Sequence, residues 1–201
     1  PEDSSFKIYT FQVVLDNYTF VHYGCIQFNK KKLKLLPLRD FSDTFPITPQ
    51  KTLTNKNWLG AVYYSIVTKK VKNRDIYFLF GFDQNDILSN KKYVEPMWLV
   101  GEREAKFGMP VFNKTYIETY AQPKQKFMSA KPKKIPPRKV TKLYHRYVLE
   151  YRMGANASMR YDRERDLIVH DHTPPLDGKT KDIGYIKVPD GTYERLQWNQ
   201  D

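Results

Sequence analysis

The chain repeats one pattern. Short runs of β-branched and aromatic residues are each closed by a turn signal about every ten residues. Such side chains pack well on a pleated, half-buried surface. No segment keeps a helical periodicity beyond two turns. The pattern predicts a mainly β chain, a single antiparallel domain of about ten strands forming a sandwich or curved sheet.

"FKIYTFQVVL" (6–15) and "YTFVHYGCIQF" (18–28), joined at Asp16-Asn17, read as a hairpin. Tyr18, Phe20, His22, Gly24, Ile26 and Phe28 share one face of its second strand. "KKLKLLPL" (31–38) adds a third strand, and 39–58 reads as a loop. "GAVYYSIVTKKV" (60–71) and "DIYFLFGF" (75–82) form the clearest hairpin. "YVEPMWLVG" (93–101) reads as a strand broken by Pro96, which predicts an edge or a bulge. "GMPVFN" (108–113) and "TYIETYA" (115–121) read as a further pair. About four short strands follow within 142–152, 157–172 and 184–198.

With 201 residues, 40% of them apolar, the chain can bury a real core. Its one cysteine, Cys25, excludes an intrachain disulfide and reads as a small buried hydrophobe. No apolar run reaches the roughly 18 residues of a transmembrane helix, so no transmembrane segment is expected. The chain begins at Pro1, so the absence of a signal peptide carries no meaning.

The net charge is +12, which draws a protein toward anionic partners. Most of the excess comes from one place. Residues 122–139, "QPKQKFMSAKPKKIPPRK", hold Lys124, Lys126, Lys131, Lys133, Lys134, Arg138 and Lys139 and no acid. Four prolines and no periodicity make 122–141 a basic, extended, inserted loop. It is a candidate for binding a protein partner or an acidic polymer. Phe127 is the single aromatic among these lysines, which argues against nucleic acid.

Enzyme motifs are sparse. There is no G-x-S-x-G, no Walker loop and no G-x-G-x-x-G, and no cofactor is expected. "IVHDHTPP" (168–175) places His170 and His172 two apart, a spacing that lets two imidazoles on one strand face share a metal ion. Asp166 lies on the same predicted face and completes a candidate metal set. Asp162, Asp166, His170 and His172 together are a candidate hydrolase centre, metal-assisted or acting on a glycan. The plainer reading is the polar end of a strand running into Pro174-Pro175, with Leu167 and Val169 inward and Ile168, His170 and His172 outward. "GFDQNDILSN" (81–90) fails as a calcium loop, because Ile87 and Leu88 stand where an oxygen ligand and a glycine belong. Asp83, Asn85 and Asp86 there read as turn caps.

The stretches "YFLFGFDQNDILSNKK", "GMPVFN", "YVLEY", "MRYDRERDLIVHDHTPP" and "VPDGTYERLQW" resemble a family of Bacteroidota envelope or secreted proteins with no assigned activity. The shared elements fall on Gly81, Asp83, Ser89 to Lys92, Gly108, Pro110 to Phe112, Glu150, Tyr151, Tyr161, Asp162, Asp171, His172, Pro174 and Val188 to Tyr193. The chain departs from the family at "LDNYT", where a Gly-Gly-Thr turn is usual, and at His170, where an aromatic is usual. The basic segment stands as an insertion. The resemblance implies an exported protein, periplasmic or at the cell surface, of which this is the C-terminal part. The absence of any complete catalytic motif, the aromatic-rich strands and the basic arm point to a non-enzymatic binding or structural module of the cell envelope, an accessory subunit of an outer-membrane assembly. The alternatives are the hydrolase and a polyanion-binding protein acting through 122–139.

Overall fold

A computed structural model describes residues 1, 4–15, 19–42, 49–118, 137–179 and 183–198, with the backbone alone at 116–118. Among the described residues there are fourteen strands and one short 3-10 turn, Gly184–Ile186. The strands are β1 (Phe6–Val14), β2 (Phe20–Phe28), β3 (Lys34–Arg39), β4 (Leu53–Thr54), β5 (Val62–Val71), β6 (Arg74–Asp83) and β7 (Ser89–Val100). They continue with β8 (Glu104–Phe107), β9 (Phe112–Glu118), β10 (Arg138–Tyr144), β11 (Tyr147–Arg152), β12 (Met159–Asp162), β13 (Leu167–Asp171) and β14 (Tyr193–Gln197). All strand pairs are antiparallel. The chain is mainly β, as its pattern predicts. The count exceeds ten because strands as short as β4, two residues long, carry too few residues to show alternation.

The strands of both predicted hairpins pair, and the predicted turn at Asp16-Asn17 lies outside the described residues. β1 pairs with β2 from Phe6↔Phe28 to Val14↔Phe20, and β3 adds to the far edge of β2. β5 and β6 meet across Lys72-Asn73, both left-handed at φ 48° and 59°. Two such residues make the tight turn whose twist matches that of the flanking strands.

The central sheet runs β4-β8-β7-β6-β5, and β7 organises it. One edge of β7 pairs with β6. The other edge is shared: Ser89 to Val94 pair with β11, and Met97 to Val100 pair with β8. Pro96 therefore lies in a central, unbroken strand and not at an edge or break. It sits at the changeover between β11 and β8. Its carbonyl accepts from Gly108 N–H at 2.7 Å on that side. In an antiparallel strand a residue's N–H and C=O point the same way, so the donor that proline lacks falls in the gap.

Both faces of this sheet are covered. Tyr77 and Leu79 of β6 join Phe6, Ile26, Phe28, Leu36, Leu38 and Trp58 in one core. Ile76, Phe78 and Phe80 join Val94, Leu149, Met159 and Ile168 in a second. The β1–β3 sheet thus packs on one face and the β12–β13–β14 sheet on the other. Each large apolar side chain fully buried this way contributes about 1.5–3 kcal/mol.

Three predicted elements are corrected. Residues 108–118 do not form a pair of strands; β9 runs straight through Phe112–Glu118 and pairs with β10, and 119–121 lie outside the described residues. Arg138 to Thr141 belong to β10, so they are strand and not loop. The run 142–152 is divided at His145-Arg146 between β10 and β11. Residues 119–136, which include Lys124, Lys126, Lys131, Lys133 and Lys134, lie outside the described residues.

Candidate functional site

The four residues of the candidate hydrolase do not meet. Asp166 occupies a left-handed turn (φ 51°) just before β13, about 13 Å along the strand from His170 at about 3.3 Å per residue. It is committed to Lys69 and Tyr161. Asp162 caps the same turn, accepting from the amides of Glu164 and Arg165 at 3.1 Å each.

His170 and His172 sit at the other end of β13. The predicted facing is reversed: Ile168 and His170 point into the second core. His170 Nδ1–H donates to the Asp171 carbonyl at 2.9 Å. Its Nε2 therefore accepts from Tyr147 O–H at 2.8 Å, and the ring lies 4.9 Å from that of Tyr147. His172 is half-exposed and donates from Nδ1 to Asp190 at 2.8 Å. Glu194, the cross-strand partner of His170, lies 3.6 Å from His170 Nε2 and 4.0 Å from His172 Nε2. Among the described residues no three His, Cys, Asp or Glu side chains close around a common point for a metal. Asp171 caps backbone, accepting from Ser158 N–H at 2.8 Å. Asp86 likewise takes the amides of Leu88 and Ser89, both at 2.7 Å, as the turn-cap reading predicts.

Arg138 and Lys139 stand exposed on the β9–β10 ribbon, which pairs with no other strand among the described residues. Lys114 and Lys142 face each other across it.

A buried polar cluster, missed in the sequence, lies where the β1–β3 sheet meets the central sheet. His22 of β2 is its centre. Asp40 Oδ2 accepts from His22 backbone N–H at 2.8 Å and from ring Nδ1 at 3.3 Å. His22 Nε2 faces Gln12 Oε1 at 3.1 Å and Asp83 Oδ1, at the end of β6, at 3.6 Å. Tyr93 O–H donates to Asp83 Oδ2 at 3.2 Å. Burial pushes the Asp83 carboxyl up to about 6, against the pull of His22, Lys91 and Tyr93. Burial also raises Asp40, but hydrogen bonds from His22 and Ser42 outweigh it and hold that carboxyl below its ordinary range. Gly60, at φ 71°, backs Asp40 so closely that a Cβ there would lie 2.7 Å from both oxygens.

The outward face of the β1–β3 sheet is the larger surprise. It presents Tyr9, Phe11 and Val13, then Val21, Tyr23 and Cys25, then Leu35 and Pro37. Tyr9 (48%), Phe11 (56%), Tyr23 (50%) and Leu35 (49%) are half open to solvent. Phe11 stacks on its cross-strand partner Tyr23 at 5.5 Å between ring centres. Cys25 lies on this face, half-buried, and not in the core. The basic residues of this sheet and its connection are Lys7, Lys30, Lys31, Lys32, Lys34 and Arg39, and residues 4–15 and 19–39 contain no Asp or Glu. The signal was present in the sequence: strands apolar on both faces and themselves free of acids.

No family model, curated protein or solved structure matches this chain. Among the described residues no helix is long and apolar enough to cross a membrane.

Proposed function

We propose that the chain is a non-enzymatic binding module whose working surface is the outward face of the β1–β3 sheet. The observation that supports this is the exposed cluster Tyr9, Phe11 and Tyr23, with Leu35 exposed farther along the same face. Exposed apolar patches of this kind mark interaction sites. The partner is a protein surface with an apolar centre and an acidic rim, complementary to the rings and to Lys7 and Arg39. A second copy fits poorly, because face-to-face packing sets the same acid-free sheet against itself. The sequence resemblance supports a setting in the bacterial cell envelope, periplasmic or at the cell surface, as an accessory subunit of an outer-membrane assembly.

The test is a photo-crosslinker, benzoylphenylalanine, at position 11 in the cells that make the protein. A single discrete protein adduct, weakened by Lys7→Glu or Arg39→Glu and absent with the probe at exposed Tyr193, is expected. Equal labelling at both positions, or only a doublet of the chain itself, contradicts the proposal.

A second reading, binding of an acidic polymer, is favoured by one observation: exposed Lys114, Arg138, Lys139 and Lys142 on the β9–β10 ribbon. Retention on heparin that survives replacement of all four by alanine excludes the ribbon.

A further inference from the structure

Beneath the exposed sheet lies the buried polar cluster around His22. His22, on the inward side of β2, meets groups from every element packed against it. Gln12 comes from β1, Asp40 from the end of β3 and Asp83 from the end of β6. Trp58 closes the site, its ring edge-on to the imidazole at 6.3 Å. Asp83 in turn faces Tyr93 and Lys91 of β7, besides His22 and Asp40. Gln84 reinforces the link, its N–H donating to Gln12 Oε1 at 3.4 Å. His22, Asp40 and Asp83 therefore form a polar joint between the two layers, beside the bond from Tyr63 N–H to Thr10 Oγ1 at 2.9 Å and the apolar core they share.

We infer that the His22–Asp40–Asp83 cluster is a pH-sensitive seat, holding the β1–β3 sheet down on the central sheet in mildly acidic medium and loosening as the medium becomes neutral. The geometry supplies the direction. Asp83 is almost fully buried, and seating the sheet removes its carboxyl from water. A neutral carboxyl tolerates this, whereas a carboxylate does so only at a cost. The Asp83 carboxyl lies near 3.8 when free and about 6 in the seat. Because the seated value is the higher one, its contribution to stability is full below 3.8 and is lost as pH rises through about 6. Asp40 titrates below this window and stays ionised throughout it. The seat is read without a partner and stands apart from the function proposed above.

Backbone amide exchange of the purified chain tests this. Corrected for intrinsic rates, protection in β2 is expected to fall about tenfold between pH 5 and pH 7.5, as the difference in Asp83 ionisation between seated and open forms requires. Asp83→Asn, which cannot ionise, abolishes that fall. Tyr93→Phe removes a hydrogen bond that favours the carboxylate, so its midpoint moves to higher pH; it also serves should Asp83→Asn not fold. A flat wild-type profile, or a fall unchanged in both variants, overturns the seat. A normal exchange profile with no adduct at position 11 removes the docking proposal and leaves the seat. An adduct with a flat profile removes the seat alone.

Discussion

Arg146 Nε donates to the Glu95 carboxylate across 2.8 Å, with both side chains closed off from water. The pair joins the break between β10 and β11 to the middle of β7. Tyr63 O–H donates to the second Glu95 oxygen at 2.8 Å, and Trp58 Nε1–H donates to Tyr63 at 2.8 Å. Arg146 also reaches the Lys51 carbonyl at 2.9 Å. Burial pushes the Glu95 carboxyl up, and Arg146 and Tyr63 oppose that push. Such a pair adds little net stability, but one partner left alone is costly.

Arg146→Met is accordingly expected to destabilise the chain by about 3–5 kcal/mol in urea unfolding. The double change Glu95→Leu with Arg146→Met recovers most of that loss. A single variant within about 0.5 kcal/mol of wild type, the range of a neutral surface change, contradicts the pair's role.

Gly108 stands against the same guanidinium. Its φ is 85°, and a Cβ there would lie 2.6 Å from Arg146 Nη2. Gly108→Ala should cost about 1–3 kcal/mol from the left-handed backbone alone, and more from the displaced arginine. In the Arg146→Met background the second part disappears, so the two changes are non-additive in a double-mutant cycle.

The two histidines of "HDH" should separate cleanly. Tyr147→Phe leaves buried His170 Nε2 without its donor, which costs about 1–3 kcal/mol. His172→Ala, at a half-exposed site, stays within about 0.5 kcal/mol. Thermal unfolding of the two variants side by side gives the comparison. Equal losses contradict the division of roles.

Asp40 and Asp83 should have opposite pH signatures. The folded Asp40 carboxyl is lowered, so its contribution is full above 3.8 and is lost as pH falls through the lower folded value. The difference between wild type and Asp40→Asn should therefore shrink on acidification. For Asp83, wild type should lose ground to Asp83→Asn as pH rises through about 6. Denaturant midpoints from pH 3 to pH 8 show both trends, and slopes of the same sign contradict the assignment.

The strand content and the first hairpins were legible because local alternation and turn chemistry carry them. Layer number was less so. The run Tyr77 to Phe80 is apolar without alternation, the signature of a strand buried on both faces, yet it also suits an ordinary core strand. β1 is ambiguous for a related reason: Phe6 and Ile8 face one way and Tyr9 and Phe11 the other, and both sets are apolar. The facing of His170 was misread because Leu167 and Ile168 are both buried where β13 leaves its turn, so alternation fails there. Glu95 and Arg146 lie 51 residues apart, and nothing local pairs them. A lone charge inside each of two apolar runs was the available hint.

The most direct measurement is oxidative footprinting of Tyr9, Phe11 and Tyr23 in the cells that make the protein and in the purified chain. Expected is strong labelling of all three after purification and protection of all three in the cells, with Tyr193 labelled alike in both. Equal labelling of the three rings in both preparations contradicts a partner on the β1–β3 sheet.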